Sequence, residues 1–188
     1  HINDVCNVIS KKTGILYRIR YCVSRQTLIM LYNAFILPHI TYGLEVWGAA
    51  QKTYLNRIMM IQKKITRIIS FKCYNCHTAP LFYNLTILDV FKLYRLTIAT
   101  FMHDLRNNEL PHSFVDYFSF VRHPYKTRTK GNNNIFLINI RTNLGKQSVS
   151  YSGACVWNTL SKQLRSVTSR NKFRQTFKKE LREEFNYN

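Results

Sequence analysis

With 188 residues, 46% of them hydrophobic, the chain is long enough for one domain or two small ones with a real core, and too apolar to stay disordered. Lys and Arg number 28 against 9 Asp and Glu, a net charge of +19. A folded protein that basic repels itself unless an anion sits on it; nucleic acid is the commonest such anion, and an anionic membrane surface is the alternative.

No run of 18 apolar residues occurs, so no membrane span is expected. Five Cys without regular spacing, behind no signal peptide, predict free thiols in a reducing compartment. The first residue is His1 rather than Met, which reads as a piece of something longer.

In chain order, Val5, Ile9, Leu16 and Ile19 make an apolar helical stripe, interrupted at Gly14. Ser24 offers an N-cap to a helix in which Leu28, Leu31, Tyr32, Phe35 and Ile36 fall at i, i+3, i+4, i+7 and i+8. Pro38 should end or kink it. The segment from Ile40 to Trp47 is apolar almost all round and is predicted to be buried. A helix comes next over about Thr53 to Phe71. Leu55, Ile58, Met59, Ile65, Ile68 and Ile69 share one face, and Arg57, Lys63, Lys64 and Arg67 share the opposite one. That basic face reads either as a solvated surface or as a nucleic-acid contact. No acidic residue lies between Glu45 and Asp89, whereas a merely soluble helix usually mixes signs.

Residues 72–84, with Pro80, read as a loop and as the best domain boundary. Ile87, Phe91, Tyr94, Ile98, Met102 and Leu105 recur at a helical period, and Pro111 ends the connection after them. Residues 120–134 are a polar loop. Ile135 to Ile140 are apolar and β-branched, one candidate strand, with Val149 to Tyr151 as its candidate partner. From Thr168 or Ser169 onward Phe173, Phe177, Leu181 and Phe185 form a narrow stripe that must dock on something.

Chemistry-bearing clusters are few. Cys73 and Cys76 have the spacing at which two thiolates share a zinc ion, but a structural site needs four ligands. His77 adjoins Cys76, and His103 and His112 stand at no familiar spacing. Two ordinary thiols are therefore expected, and no metal site. Asp4, Glu45 and Asp89 are isolated and Glu183-Glu184 fall on a terminal helix, so the clustered carboxylates of two-metal phosphoryl chemistry are missing. No nucleophile elbow occurs, and Gly145-Lys146 lacks the rest of a phosphate loop. No catalytic residue is expected. The segment from His123 to Lys130 combines cations with a ring. Tyr125, Lys126, Arg128 and Lys130 are candidate contacts to phosphate and base, against the alternative of an exposed loop that is merely positive. Trp47 and Trp157 are assigned to the core.

Leu31-Tyr32-Asn33-Ala34-Phe35-Ile36-Leu37-Pro38-His39 is succeeded by Tyr42-Gly43 with Trp47-Gly48, then by Ile61-Gln62-Lys63-Lys64 with Arg67-Ile68-Ile69. His77-Thr78-Ala79-Pro80-Leu81-Phe82 comes next with Leu85, Ile87 and Leu88, then His123, Tyr125, Thr127 and Arg128, and finally Gly153, Trp157, Asn158 and Leu160. In order and spacing this series resembles the region after the palm in reverse transcriptases of LINE-type (non-LTR) retrotransposons, the jockey-like group in particular. The resemblance implies an RNA-directed DNA polymerase that copies its own RNA onto a nicked chromosomal end. It implies that the present region is a thumb, a helical bundle gripping the template–primer backbone, plus a C-terminal extension. The family's catalytic Asp pair, with its Mg²⁺, and its endonuclease belong upstream of this region, so no catalytic residue or cofactor is carried over. The Cys73/Cys76 pair matches no metal motif of the family.

The expected fold is mainly α: a thumb-like helical bundle over 1–72, then a helical C-terminal domain over 73–188 with the basic loop 120–134 and a small β element, a hairpin, over 135–151. The expected function is to grip nucleic acid as the non-catalytic C-terminal part of a reverse transcriptase, not to act as an enzyme alone. Its partners would be RNA, RNA–DNA hybrid or DNA backbone and the missing palm and endonuclease domains, with no membrane, in a ribonucleoprotein of the nucleus and cytoplasm. The alternatives are a domesticated RNA-binding or assembly protein, and a non-functional transposon relic.

Overall fold

The structure, a computed structural model, describes residues 1–118 and 134–185, without the side chains of 115 and 116. Every regular element among them is helical, so the fold is mainly α. The chain divides into two compact units, His1–Tyr94 with Lys179–Asn188, and Arg95–Lys178.

In the first unit, α1 (Ile2–Ile19) packs along α5 (Lys52–Ile69). α1 buries Val5, Cys6, Ile9, Thr13 and Leu16, and α5 buries Leu55, Ile58, Ile65, Ile68 and Ile69. The Thr13 hydroxyl donates to the Ile9 carbonyl at 2.7 Å and so enters the core satisfied. Gly14 does not interrupt α1; it is exposed, where its weak helix propensity costs only about 1 kcal/mol.

α2 (Arg25–Leu31) starts at Ser24, whose Oγ accepts the Thr27 N–H at 3.1 Å. Pro38 shapes the backbone on both sides of it. Tyr32–Ile36 form a π-helical turn in which the Leu37 N–H reaches back to the Tyr32 carbonyl. In an unbroken α-helix the Pro38 ring would press on the Ala34 carbonyl. The wider turn immediately before it opens that spacing, and the chain continues as α3 (Leu37–Thr41) and α4 (Leu44–Trp47). Ile36, Ile40 and Leu44 are fully buried along this strip. The expectation that 40–47 is buried throughout is corrected: Tyr42 and Val46 are each 76% exposed, because the short helices present two sides. Trp47 is half-buried rather than core, and its indole N–H donates to the Tyr42 carbonyl at 2.8 Å. Gly43 reverses the chain with φ +62°, and Gly48 lies so close to the Tyr94 ring and the Leu44 carbonyl that a Cβ would collide with both.

Residues 72–84 are only partly loop. α6 (Ala79–Leu85) carries Pro80 in its first turn, where the missing N–H is not needed. A buried polar contact ties α5 to the segment after α6. Gln62 is fully buried; its Nε2 donates to the Tyr32 hydroxyl at 3.1 Å and to the Leu88 carbonyl at 3.3 Å, and its Oε1 accepts the Val90 N–H at 2.8 Å. Asp89 caps the start of α7 (Val90–Arg106), its Oδ1 accepting the Lys92 N–H at 2.9 Å.

The second unit holds most of α7, the 3₁₀ turns His112–Tyr117 and Gly145–Gln147, α8 (Val149–Thr159), α9 (Lys162–Ser166) and the start of α10 (Arg170–Glu183). Trp157 and Phe173 are fully buried, as the apolar spacing requires. His103 is also fully buried. It donates from Nε2 to the Val167 carbonyl at 2.9 Å and stacks on Phe173 with centroids 4.6 Å apart. The β-hairpin expected over 135–151 is not there: Val149–Tyr151 are the first turn of α8. Ser148 caps that turn by accepting the Tyr151 N–H at 3.3 Å, and Gly153, Ala154 and Trp157 form a buried helical face just beyond the window offered as the partner strand.

Candidate nucleic-acid interface

α5 has no acidic residue anywhere along it. With successive residues about 100° apart, burial of Leu55, Ile58, Ile65 and Ile69 turns Arg57, Met60, Lys63, Lys64 and Arg67 outward. Arg57, Met60 and Lys64 are exposed, and Lys63 and Arg67 are half-buried. The expected basic face therefore exists, but its members are held differently. Lys63 and Lys64 make no ion pair among the described residues. Arg57 donates from Nη1 to Asn3 Oδ1 on α1 at 2.6 Å. Arg67 donates from Nε to the Cys76 carbonyl at 3.1 Å, and its guanidinium lies 5.5 Å from the centre of the Tyr74 ring.

Between α1 and α5 runs an open groove of about 270 Å³, bordered by Ser10 and Thr13 on one side, Met60, Ile61, Lys64 and Arg67 on the other, and Tyr74. Tyr74 is 77% exposed. A second aromatic group lies at the C-terminal ends of the same two helices. The Arg20 guanidinium is 4.5 Å from the ring centres of both Tyr17 and Tyr21, and Tyr21 is 5.9 Å from Phe71. All three rings are exposed. Phe71 is there because α5 ends in a Schellman-type cap. The Lys72 N–H bonds the Arg67 carbonyl, the Phe71 N–H bonds the Ile68 carbonyl, and Phe71 itself takes φ +53°, where glycine is the usual choice. The sequence reading missed Tyr17, Arg20, Tyr21, Phe71 and Tyr74 as a group. The only trace in the sequence is the i, i+4 pair Tyr17/Tyr21 beside Arg20, which a count of core positions passes over.

Tyr125, Lys126, Arg128 and Lys130, the other predicted contacts, lie outside the described residues. Several cations elsewhere are structural. Arg165 is buried and donates to the Leu160 carbonyl at 3.0 Å and to Asn134 Oδ1 at 2.6 Å. Lys92 sits 3.2 Å from the centre of the Phe185 ring and 3.9 Å from Glu184. Carboxylates are similarly committed. Burial holds Asp89 above its ordinary range, and it serves as a cap. Asp104 is also raised by burial, which outweighs its pairing with Arg170 at 3.0 Å. Among the described residues no group of three or more His, Cys, Asp or Glu could hold a metal ion, and no helix is long and apolar enough to cross a membrane.

The geometry thus defines a helical protein with an acid-free cationic helix face flanked by exposed rings. Over 73 residues the chain is 27% identical to a Drosophila melanogaster protein named "Probable RNA-directed DNA polymerase from transposon X-element"; the match covers 37% of this chain and 8% of that protein. The likeness supports a distant relation to retrotransposon reverse transcriptases. No family model matches the chain, and no solved structure matches it.

Proposed function

We propose that this chain is the thumb and post-thumb part of a non-LTR retrotransposon reverse transcriptase, and that it grips RNA or RNA–DNA hybrid along the backbone. The observation that carries this reading is the outward face of α5. Lys63, Lys64 and Arg67 stand there with no acidic residue on the helix, beside the exposed rings of Tyr74, Tyr21 and Phe71. Cations on a rigid helix hold phosphates in any sequence, and rings at the edge of the patch accept unpaired bases. The polymerase carboxylates and their Mg²⁺ would belong to another part of a longer protein, with this part acting within a ribonucleoprotein.

Reversing Lys63, Lys64 and Arg67 to Glu should weaken hybrid-duplex binding and leave helix content unchanged. Filter binding over a salt series should show the log–log slope flattened by about one for each phosphate that α5 no longer neutralises. An unchanged slope removes α5 from the interface. Failure of the parent chain to bind RNA or hybrid even in dilute salt ends the reading and favours a relic.

A further inference from the structure

We propose that Cys73 and Cys76 are a reversible dithiol–disulfide pair, a modification site built into the turn after α5. The two residues open and close a hydrogen-bonded turn in which the Cys76 N–H bonds the Cys73 carbonyl at 3.2 Å. Such a turn brings its first and fourth Cα atoms within about 7 Å, and disulfides bridge Cα atoms roughly 4.4–6.8 Å apart. The backbone therefore already has the span a bond requires. Cys73 is exposed and Cys76 half-exposed, so a soluble oxidant reaches both, whereas Cys6 is buried. The turn is also anchored on each side: Lys72 is bonded back to Arg67 by the helix cap, and Cys76 offers its carbonyl to the Arg67 guanidinium. An anchored turn keeps the two sulfurs near each other and makes ring closure compete well with capture of a second external thiol.

The chemistry balances with oxidised glutathione as the oxidant. One protein thiolate attacks its disulfide, forming a mixed disulfide and releasing one glutathione thiolate. The other protein thiolate then attacks the mixed disulfide on its protein-bound sulfur, closing the Cys73–Cys76 bond and releasing the second glutathione. The two protons of the protein thiols pass to the two glutathiones, the protein is oxidised by two electrons, and the reagent is reduced by two.

The whole chain is incubated with oxidised glutathione, alkylated and digested with trypsin. The tryptic peptide from Cys73 to Lys92 holds both cysteines and no other. It should be recovered unalkylated and lighter by two hydrogen atoms, and it should return to the doubly alkylated form after a dithiol reductant. Cys76→Ser should instead leave Cys73 as a lasting glutathione adduct, because the second attack is abolished. A persistent glutathione adduct on the parent chain, or bonds from Cys73 or Cys76 to Cys22 or Cys155, would overturn the pairing. Neither readout involves nucleic acid, so the site stands or falls independently of the interface.

Discussion

Gln62 sits where the apolar spacing of α5 calls for a hydrophobe, and it is fully buried with three partners. A polar residue at a core position shows in a sequence only as a gap in the stripe. Its partners, the Tyr32 hydroxyl and the Leu88 and Val90 backbone, are about 30 residues away along the chain, so no local pattern reveals them. Tyr32 illustrates the same point: its spacing marks it as a core residue but not as part of a polar contact. Burial pushes its hydroxyl up to about 12, with the Gln62 hydrogen bond pulling the other way. The folded state thus keeps a proton that the unfolded chain gives up near the ordinary value of about 10. Stability from this group is complete below pH 10 and falls as the pH climbs from there to about 12. Denaturant titrations across that range should show a loss on the order of 2–3 kcal/mol in the parent chain. Tyr32→Phe should flatten that alkaline decline, and an equally steep decline in the variant would count against the assignment.

For the helices, the 3.6-residue period makes α5 and α7 plain, as well as the Phe173/Phe177/Leu181 stripe of α10. It locates the outward cations of α5 too, because a helix buried on one side fixes what the other side presents. The period says nothing of how a helix ends or what lies across from it, which is why the aromatic groups around Arg20 and Arg67 stay hidden in the sequence. Val149 to Tyr151, the candidate partner of the β-branched run Ile135 to Ile140, misleads because a capped helix start and a strand look alike over three residues. At the end of α5, Phe71 occupies a left-handed position that costs a non-glycine residue roughly 1–2 kcal/mol. Strain kept at such a place fits a ring retained for contact rather than for stability. Phe71→Gly should therefore stabilise the fold by up to about 1 kcal/mol, while weakening the binding to RNA proposed above. Titrating both properties in one variant checks the trade; a destabilised protein would show that the Phe71 contact with Tyr21 outweighs the backbone relief.

Taken as a whole molecule, the chain carries +19; among the described residues the ion pairs that offset it include Arg170–Asp104 at 3.0 Å. Repulsion among its cations should exceed attraction, and dissolved salt screens the longer-range part first. The melting temperature should accordingly rise by a few degrees between dilute buffer and about 0.15 M salt, whereas the proposed nucleic-acid binding should weaken over the same range. A melting temperature that falls with salt would mean that attractive pairs dominate the charge balance. Composition alone makes the charge legible. The residues that leave it free on the surface, rather than committed like Arg165, become visible only in the folded chain.

The π-helical turn at Tyr32–Ile36 also bears on changes of chain length. It holds one amino acid more than an ordinary turn of helix would, and Asn33, Ala34 and Phe35, the positions that absorb the surplus, point to the outside. An insertion accommodated this way leaves the inward line of Ile36, Ile40 and Leu44 in phase with its neighbours. Pro38 makes the surplus hard to lose again, since a deletion that restored regular winding would drive its ring into the carbonyl four positions back. Extra residue and proline form a matched pair, and a descendant that discarded either one alone would inherit a worse helix than one that discarded both.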